Sequence, residues 1–63
     1  MIVSKKEALY HIQHTEQLYS WGEISKGALE AKLSYFLDVL CGYDYEAYEA
    51  HRNRVNRKYG FDL

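Results

Sequence analysis

The stretch KGALEAKLSYFLDVLC, residues 26–41, decides the fold because its apolar side chains cover two sides of a helix. One side carries Leu29, Leu33, Phe36, Leu37 and Leu40. The other carries Ala28, Ala31, Tyr35 and Val39, and Ile24, just before the stretch, belongs with them. A helix that is apolar on two sides packs between two neighbours. We therefore expect the central helix of a bundle, capped by Ser25 and ended by Gly42 in the left-handed conformation.

A second amphipathic stretch precedes the central one. It opens with the capping pattern SKKE, in which Ser4 caps and Glu7 stands at the third helical position. Val3 and Ala8 are spaced for a weak apolar contact across this start. The core-facing positions recur at helical spacing: Ala8, Ile12, Thr15 and Tyr19. Gly22 is placed to end this helix.

The third stretch is YDYEAYEAHRNRVNRKYG, residues 43–60. Asp44 is placed to cap it, and Gly60 to end it, with Phe61 folding back on Val55. Acidic residues come early and basic residues late, which complements the helix dipole. One stripe should face the central helix: Tyr45, Tyr48, Arg52, Val55 and Tyr59.

These patterns predict a compact, all-α, three-helix bundle with helices at about 4–21, 25–41 and 44–59. Residues 1–63 form one small helical domain, with the second helix at its centre. A domain of this size buries only about 60% of the surface of its unfolded chain. One cysteine allows no internal disulfide. Its stability must therefore come from helix packing, self-association or a partner.

The charges are unevenly distributed along the chain. The net charge is −1 overall, but residues 1–50 carry −4 and residues 51–63 carry +3. The protein is thus predicted to be an acidic body with a basic end. No apolar run approaches the roughly 20 residues of a membrane-spanning helix, and the N-terminus lacks the order of a signal peptide. We expect a cytoplasmic protein that does not bind membranes.

Few residue patterns favour catalysis or metal binding. Glu7, His11 and His14 share one helical face, but two histidines at this spacing chelate poorly without a further ligand, so a solvated flank is the simpler interpretation. Cys41 lies at a helix C-terminus, where the dipole opposes a reactive thiolate. The sequence contains no Ser/His/Asp arrangement, no glycine-rich phosphate loop and no HExxH motif of metalloproteases. We expect no enzymatic activity, no metal and no cofactor.

The basic end is a candidate binding surface. Arg54, Arg57 and Lys58 are predicted to project mostly away from the tyrosine stripe. Together with His51 they can form a positive surface, with Asn53 and Asn56 nearby. Such a helix can read bases in a major groove or dock on an acidic protein, or it can simply balance the helix dipole. Arg52 interrupts the stripe. It is expected to pair with an acidic residue, to stack on a tyrosine, or to bind a partner.

An aromatic flank is the other candidate surface. Tyr10 and Trp21 fall opposite the core-facing side of the first helix. Tryptophan, tyrosine and arginine are the usual anchors of protein interfaces. An aromatic pair outside the predicted core favours either a partner surface or a homodimer, and the alternative is that both rings are ordinary half-exposed aromatics.

The combined pattern favours a small non-enzymatic protein-binding module, an inhibitor or adaptor that occludes a larger protein or nucleoprotein. Phages and other mobile elements make small acidic inhibitors of this kind. The predicted partner-binding residues are Arg52, Arg54, Arg57, Lys58, Tyr10 and Trp21. The alternative is a nucleic-acid-binding protein that uses the basic third helix, with a homodimer expected in that case.

Overall fold

The computed structural model describes residues 4–63, which form three helices. They are α1 (Lys5–Ser20), α2 (Lys26–Tyr43) and α3 (Tyr45–Tyr59). The prediction of an all-α three-helix protein is confirmed, and each predicted boundary lies within two residues of the observed one. The predicted contact of Val3 falls outside the described residues.

Each helix begins at the capping residue that its sequence predicts. The side chains of these residues accept a hydrogen bond from the backbone N–H three residues later: Glu7 to Ser4 at 3.2 Å, Ala28 to Ser25 at 3.1 Å, and Ala47 to Asp44 at 3.1 Å. Such bonds satisfy donors that a helix start leaves without partners. The three starts are therefore fixed by local chemistry.

Two of the three predicted glycine stops are confirmed. Gly22 and Gly60 are left-handed, with φ of 77° and 75°. The prediction for Gly42 is wrong, because α2 continues through it to Tyr43. Asp44, with an extended backbone at φ −156°, both ends α2 and caps α3. Since this residue makes the whole turn, no left-handed position is needed there.

The predicted central position of α2 is confirmed, because α2 packs against both α1 and α3. Leucines of α2 fill the core, and single residues of the neighbouring helices close it: Leu29, Leu33, Leu37 and Leu40 with Ala8, Ile12 and Val55. The second apolar side of α2 is only partly covered. Tyr35 is 60% exposed and Ala31 is also exposed, contrary to prediction. Both neighbours pack close to the leucine side, which leaves these two positions beyond their reach.

The helices form a bent layer more than a closed triangle. No Cα atom of α1 lies within 8 Å of a Cα atom of α3 between these described helices. The Cα atoms span 29 × 23 × 14 Å, and the 23 Å width is about two helix spacings of 8–10 Å plus one helix backbone. Lys5 near the start of α1 pairs with Asp44 at the start of α3, so α1 and α3 run parallel.

The buried side of α3 differs in part from the predicted stripe. Val55 is buried, and Tyr48 and Tyr59 pack against the core as predicted. Tyr45 was expected in the stripe but is 59% exposed. Ala47 packs against the core instead. Tyr59 also donates a hydrogen bond to Glu16 of α1, so the buried side of α3 faces α1 as well as α2.

The last residues fold back on the helices. The backbone N–H groups of Gly60 and Phe61 both donate to the Asn56 carbonyl, at 2.9 and 3.1 Å. The Asn56 side chain also bonds the backbone N–H and carbonyl of Leu63. Phe61 and Leu63 then pack against the core that contains Val55, in agreement with the predicted return of Phe61.

Candidate interaction site

Glu16 joins α1 to α3 through three basic or polar side chains. Arg54 donates two hydrogen bonds to its carboxylate, at 2.8 and 2.7 Å. The Tyr59 hydroxyl donates a third at 2.9 Å, and Lys58 lies 4.0 Å away. Only 12% of the Glu16 side chain is exposed. Arg54 was expected to project mostly away from the tyrosine stripe; it is exposed, but its guanidinium also holds α1 and α3 together through Glu16.

The pKa values of this network shift in the directions that its contacts require. Partial burial acts to raise the pKa of Glu16, but hydrogen bonds from Arg54 and Tyr59 outweigh it and lower the pKa. Burial, together with the bond to Glu16, raises the pKa of Tyr59 to about 12. Burial and the neighbouring Arg54 charge lower the pKa of His51. The network therefore favours an ionised Glu16 beside a neutral His51.

Arg52 stacks on a tyrosine, one of the arrangements expected for it. Its guanidinium carbon lies 5.5 Å from the centre of the Tyr48 ring, and one terminal nitrogen donates to Asn53 at 3.3 Å. Its Nε atom is shielded from solvent and has no hydrogen-bond partner among residues 4–63. Much of the Arg52 side chain is thus engaged within α3 and offers little free surface to a partner.

Arg57 and Lys58 remain available on the outer side of α3. Both are exposed, and they line a shallow basic cup of about 320 Å³ with Ala50, Asn53 and Arg54. Asn56, expected beside this surface, instead holds Leu63. The predicted basic surface is therefore smaller than its four charges suggest.

The outer side of α1 presents an exposed aromatic surface. Tyr10 is 59% exposed and Trp21 is 62% exposed. His14 and Gln17 lie between them and are also exposed. The spacing of 10, 14 and 17 places the first three on one face of α1. Trp21 caps the C-terminus of α1 with a right-handed backbone and continues this spacing. We call Tyr10, His14, Gln17 and Trp21 the aromatic face.

A chain of ring contacts connects the aromatic face to α2. Tyr10 stacks on His14 at 5.7 Å between ring centres and meets His11 edge-on at 5.5 Å. His11 stacks on Phe36 at 5.0 Å, and Phe36 meets Tyr35 at 5.4 Å. Offset and edge-on contacts in this range are favourable. The exposed Tyr10 and Tyr35 rings are thus joined across the α1–α2 contact by half-buried rings.

A second concave region lies between α1 and α3. This α1–α3 groove has a volume of about 350 Å³ and is lined by Leu9, Ile12, Gln13, Glu16, His51 and Arg54. Leu9 and Ile12 give it an apolar side. The groove exists because α1 and α3 approach only through side chains.

Of the three residues that share one helical face in the sequence, Glu7, His11 and His14, the structure gives His11 a packing role, because its ring stacks on Phe36. No three histidine, cysteine or acidic side chains within residues 4–63 are grouped to hold a metal ion. Cys41 is a free, half-buried thiol. Within the same described part of the chain, no helix is both long and apolar enough to cross a bilayer.

The structure adds residues to the predicted aromatic surface and shows a groove that the sequence did not predict. His14 joins Tyr10 and Trp21, and its helical spacing from Tyr10 was visible in the sequence. Phe36 and Tyr35 also belong to this surface, because α1 packs beside α2 and brings His11 onto Phe36. No local sequence pattern predicts how two helices align. The α1–α3 groove likewise depends on how two helices distant in sequence lie together.

Comparisons of this chain with protein-family models, with curated proteins and with solved structures find no match.

Proposed function

We propose that this chain is a small non-enzymatic protein-binding module, and that the aromatic face on α1 is its main contact surface. As an adaptor or inhibitor, it would cover part of a larger protein or nucleoprotein. The observation that carries this proposal is the exposure of Tyr10 and Trp21, at 59% and 62%, on one helical face.

The aromatic face has the physical properties of an interface anchor. Large rings supply apolar area at low conformational cost, and tyrosine and tryptophan dominate the binding energy of many interfaces. Contacts with His14, and with His11 on Phe36, restrain the Tyr10 ring. A restrained ring loses less entropy on binding. Tyr10 and Trp21 themselves lie outside the core, which is filled by leucines of α2.

The titratable groups support a non-enzymatic role. Shifted pKa values often mark catalytic groups, but structural ion-pair networks also produce them. Here Glu16 accepts three hydrogen bonds from Arg54 and Tyr59, so its carboxylate is already engaged as an acceptor. The lowered pKa of Asp44 comes from its hydrogen bond with Lys5 and from capping α3. Each of these shifts has a structural cause.

The proposal is tested by affinity capture from the native host with mass spectrometry, using wild-type and Tyr10→Ser baits. Loss of a dominant anchor costs about 2 kcal/mol or more, equivalent to about a 30-fold weaker affinity. We expect the Tyr10→Ser bait to lose the partner that the wild-type bait retains.

Tyr45→Ser is the matched control, because Tyr45 is 59% exposed, as Tyr10 is, but lies on α3. This bait should retain the partner. Equal capture by the Tyr10→Ser and wild-type baits would remove the aromatic face from the proposal.

Nucleic-acid binding through α3 is the second candidate, favoured by the exposed Arg57 and Lys58 in the basic cup. Two observations reduce its support. Arg54 is bound by Glu16 and Arg52 is stacked on Tyr48, so few positive charges remain for phosphates. Each lost phosphate contact reduces the salt dependence of binding by about one counterion.

A salt titration separates the two candidates. Nucleic-acid binding should weaken steeply as salt rises, and Arg57→Ala should flatten that slope by about one. Binding to a protein through the aromatic face should depend much less on salt.

A further inference from the structure

Two concave regions of the surface share one wall. Arg54 lines both the α1–α3 groove and the basic cup on α3. Because Glu16 holds the Arg54 guanidinium by two hydrogen bonds, this wall is fixed in position. The two regions, of about 350 and 320 Å³, are therefore adjacent parts of one surface.

The groove suits an apolar side chain. Leu9 and Ile12 line it, and the aromatic face contributes none of its lining residues. Arg54 donates a hydrogen bond to Nδ1 of His51 at 3.2 Å, and since arginine is only a donor, Nδ1 is the acceptor. His51 is thereby neutral when this bond forms. The groove therefore combines the apolar Leu9 and Ile12 with the neutral His51 and Gln13 and with the paired charges of Glu16 and Arg54.

The cup suits a carboxylate. Arg57, Lys58 and Arg54 are cations, and within residues 4–63 Arg57 has no acidic partner. The Asn53 side-chain oxygen already accepts from Arg52, which leaves its amide N–H groups as donors. Glu16 offsets one of the three charges, so the cup keeps a net positive charge. Its free polar groups are hydrogen-bond donors, which favours an anion.

We propose that the α1–α3 groove and the basic cup form one two-part docking site for an acidic amphipathic protein segment. The segment places an apolar side chain in the groove and a neighbouring carboxylate in the cup. This site goes beyond the proposed function, because it requires neither Tyr10 nor Trp21 and would give the module a second partner surface.

A protein segment fits this surface better than a nucleic acid does. Single-stranded nucleic acids bind through bases stacked on aromatic rings beside a basic track. Among the lining residues, the only ring is the imidazole of His51. A partly apolar groove next to a small cationic cup instead matches helix-in-groove recognition, in which apolar anchors bind and charges set the orientation.

The test is an NMR titration of the isotope-labelled protein with a synthetic helical peptide of about 15 residues that carries leucine and glutamate one helical turn apart. We expect saturable shifts of the backbone amides of Leu9, Gln13 and Arg57. Replacing the leucine by serine, or the glutamate by glutamine, should each weaken binding by about tenfold. Unchanged affinity for both altered peptides, or no shifts at about 1 mM peptide, would overturn the proposal.

Protein variants supply the matched comparison. Arg57→Glu should weaken binding of the acidic peptide by about tenfold or more. Lys32→Glu makes the same type of charge reversal at an exposed site on α2 and should change affinity by less than about twofold. Equal losses in the two variants would mean that overall charge alone attracts the peptide. If single-stranded DNA binds more tightly than the peptide and shifts the same amides, the ligand of this site is a nucleic acid and the proposal is overturned. This peptide test is independent of the capture experiment with the Tyr10→Ser bait, because Tyr10 lines neither the groove nor the cup.

Discussion

Glu16 is the residue that holds α1 and α3 together at one end of the molecule. Its carboxylate accepts from both Arg54 and Tyr59 while only 12% of its side chain is exposed. A partly buried carboxylate that loses its donors is costly, because water replaces them only in part. This makes Arg54 a structural residue, although α3 carries it on the side away from the α2 contact.

Arg54→Ala should therefore destabilise the protein, whereas Arg57→Ala should not. We expect Arg54→Ala to lower the free energy of unfolding by about 1–3 kcal/mol, and Arg57→Ala to change it by less than about 0.5 kcal/mol. Urea unfolding at neutral pH measures both. If the two variants unfold at the same urea concentration, the Glu16 contact contributes nothing to stability.

Tyr59 gives this network a pH dependence at the alkaline end. Its pKa of about 12 in the folded protein exceeds the value of about 10 for an unfolded chain. The unfolded state therefore releases this proton first, and the contribution of Tyr59 to stability is lost as pH rises from about 10 to about 12. At pH 8, Tyr59→Phe should be less stable than wild type, and the difference should shrink above pH 10. A constant difference across this range would contradict the bond to Glu16.

At the scale of helices, local sequence determined the starts of the elements better than their ends. Each helix start is completed by the side chain of one capping residue, which bonds the backbone N–H three residues later: Ser4, Ser25 and Asp44. The few residues around each start are therefore enough to predict it. The end of α2 was predicted wrongly at Gly42, because a glycine permits a left-handed backbone without requiring one. The extended Asp44 makes the turn instead.

Gly42 and Gly60 should respond oppositely to the same substitution. Gly42 is right-handed helix with open space around its missing side chain, so Gly42→Ala should raise the free energy of unfolding by about 0.5–1 kcal/mol. Gly60 is left-handed at φ 75°, so Gly60→Ala should lower it by about 1 kcal/mol. Thermal unfolding of the two variants is the check. A loss of stability in Gly42→Ala would mean that α2 ends earlier.

The candidate surfaces were predictable only where one helix carries them. Tyr10 and Trp21 were placed outside the core from their spacing on α1, and both are exposed. The contact of Arg54 with Glu16 joins residues 38 positions apart, and the stacking of His11 on Phe36 joins two helices. Such pairs depend on the rotation and alignment of whole helices, which helical periodicity does not encode.

At the scale of the whole molecule, stability depends on one layer of leucines on α2. A 63-residue protein has a total free energy of unfolding of about 3–9 kcal/mol. Leu33 is fully buried, so Leu33→Ala should cost about 2–5 kcal/mol and leave the chain marginally folded. Lys32→Ala, at an exposed neighbouring position, should change stability by less than about 0.5 kcal/mol. Circular dichroism melts compare them, and similar melting temperatures would contradict the central position of α2.

The separation of the core from the aromatic face leads to a prediction about partner binding and stability. Leucines of α2 stabilise the fold, whereas Tyr10 and Trp21 lie outside the core cluster. Substitutions on the aromatic face should thus alter partner binding with little change in stability. The two arginines of the basic cup should differ in their effect on stability. Arg54 joins α3 to α1 through Glu16, whereas Arg57 makes no such contact within residues 4–63.

The most direct measurement of the central claim is the dissociation constant of the captured partner for two double variants. Tyr10→Ser with Trp21→Ser removes the aromatic anchors, and Arg57→Ala with Lys58→Ala removes the two exposed basic side chains on the outer side of α3. We predict a loss of about 30-fold or more for the aromatic pair, and a change of a few-fold at most for the basic pair. A large loss in the basic pair, with none in the aromatic pair, would contradict the claim that this protein binds through the aromatic face of α1.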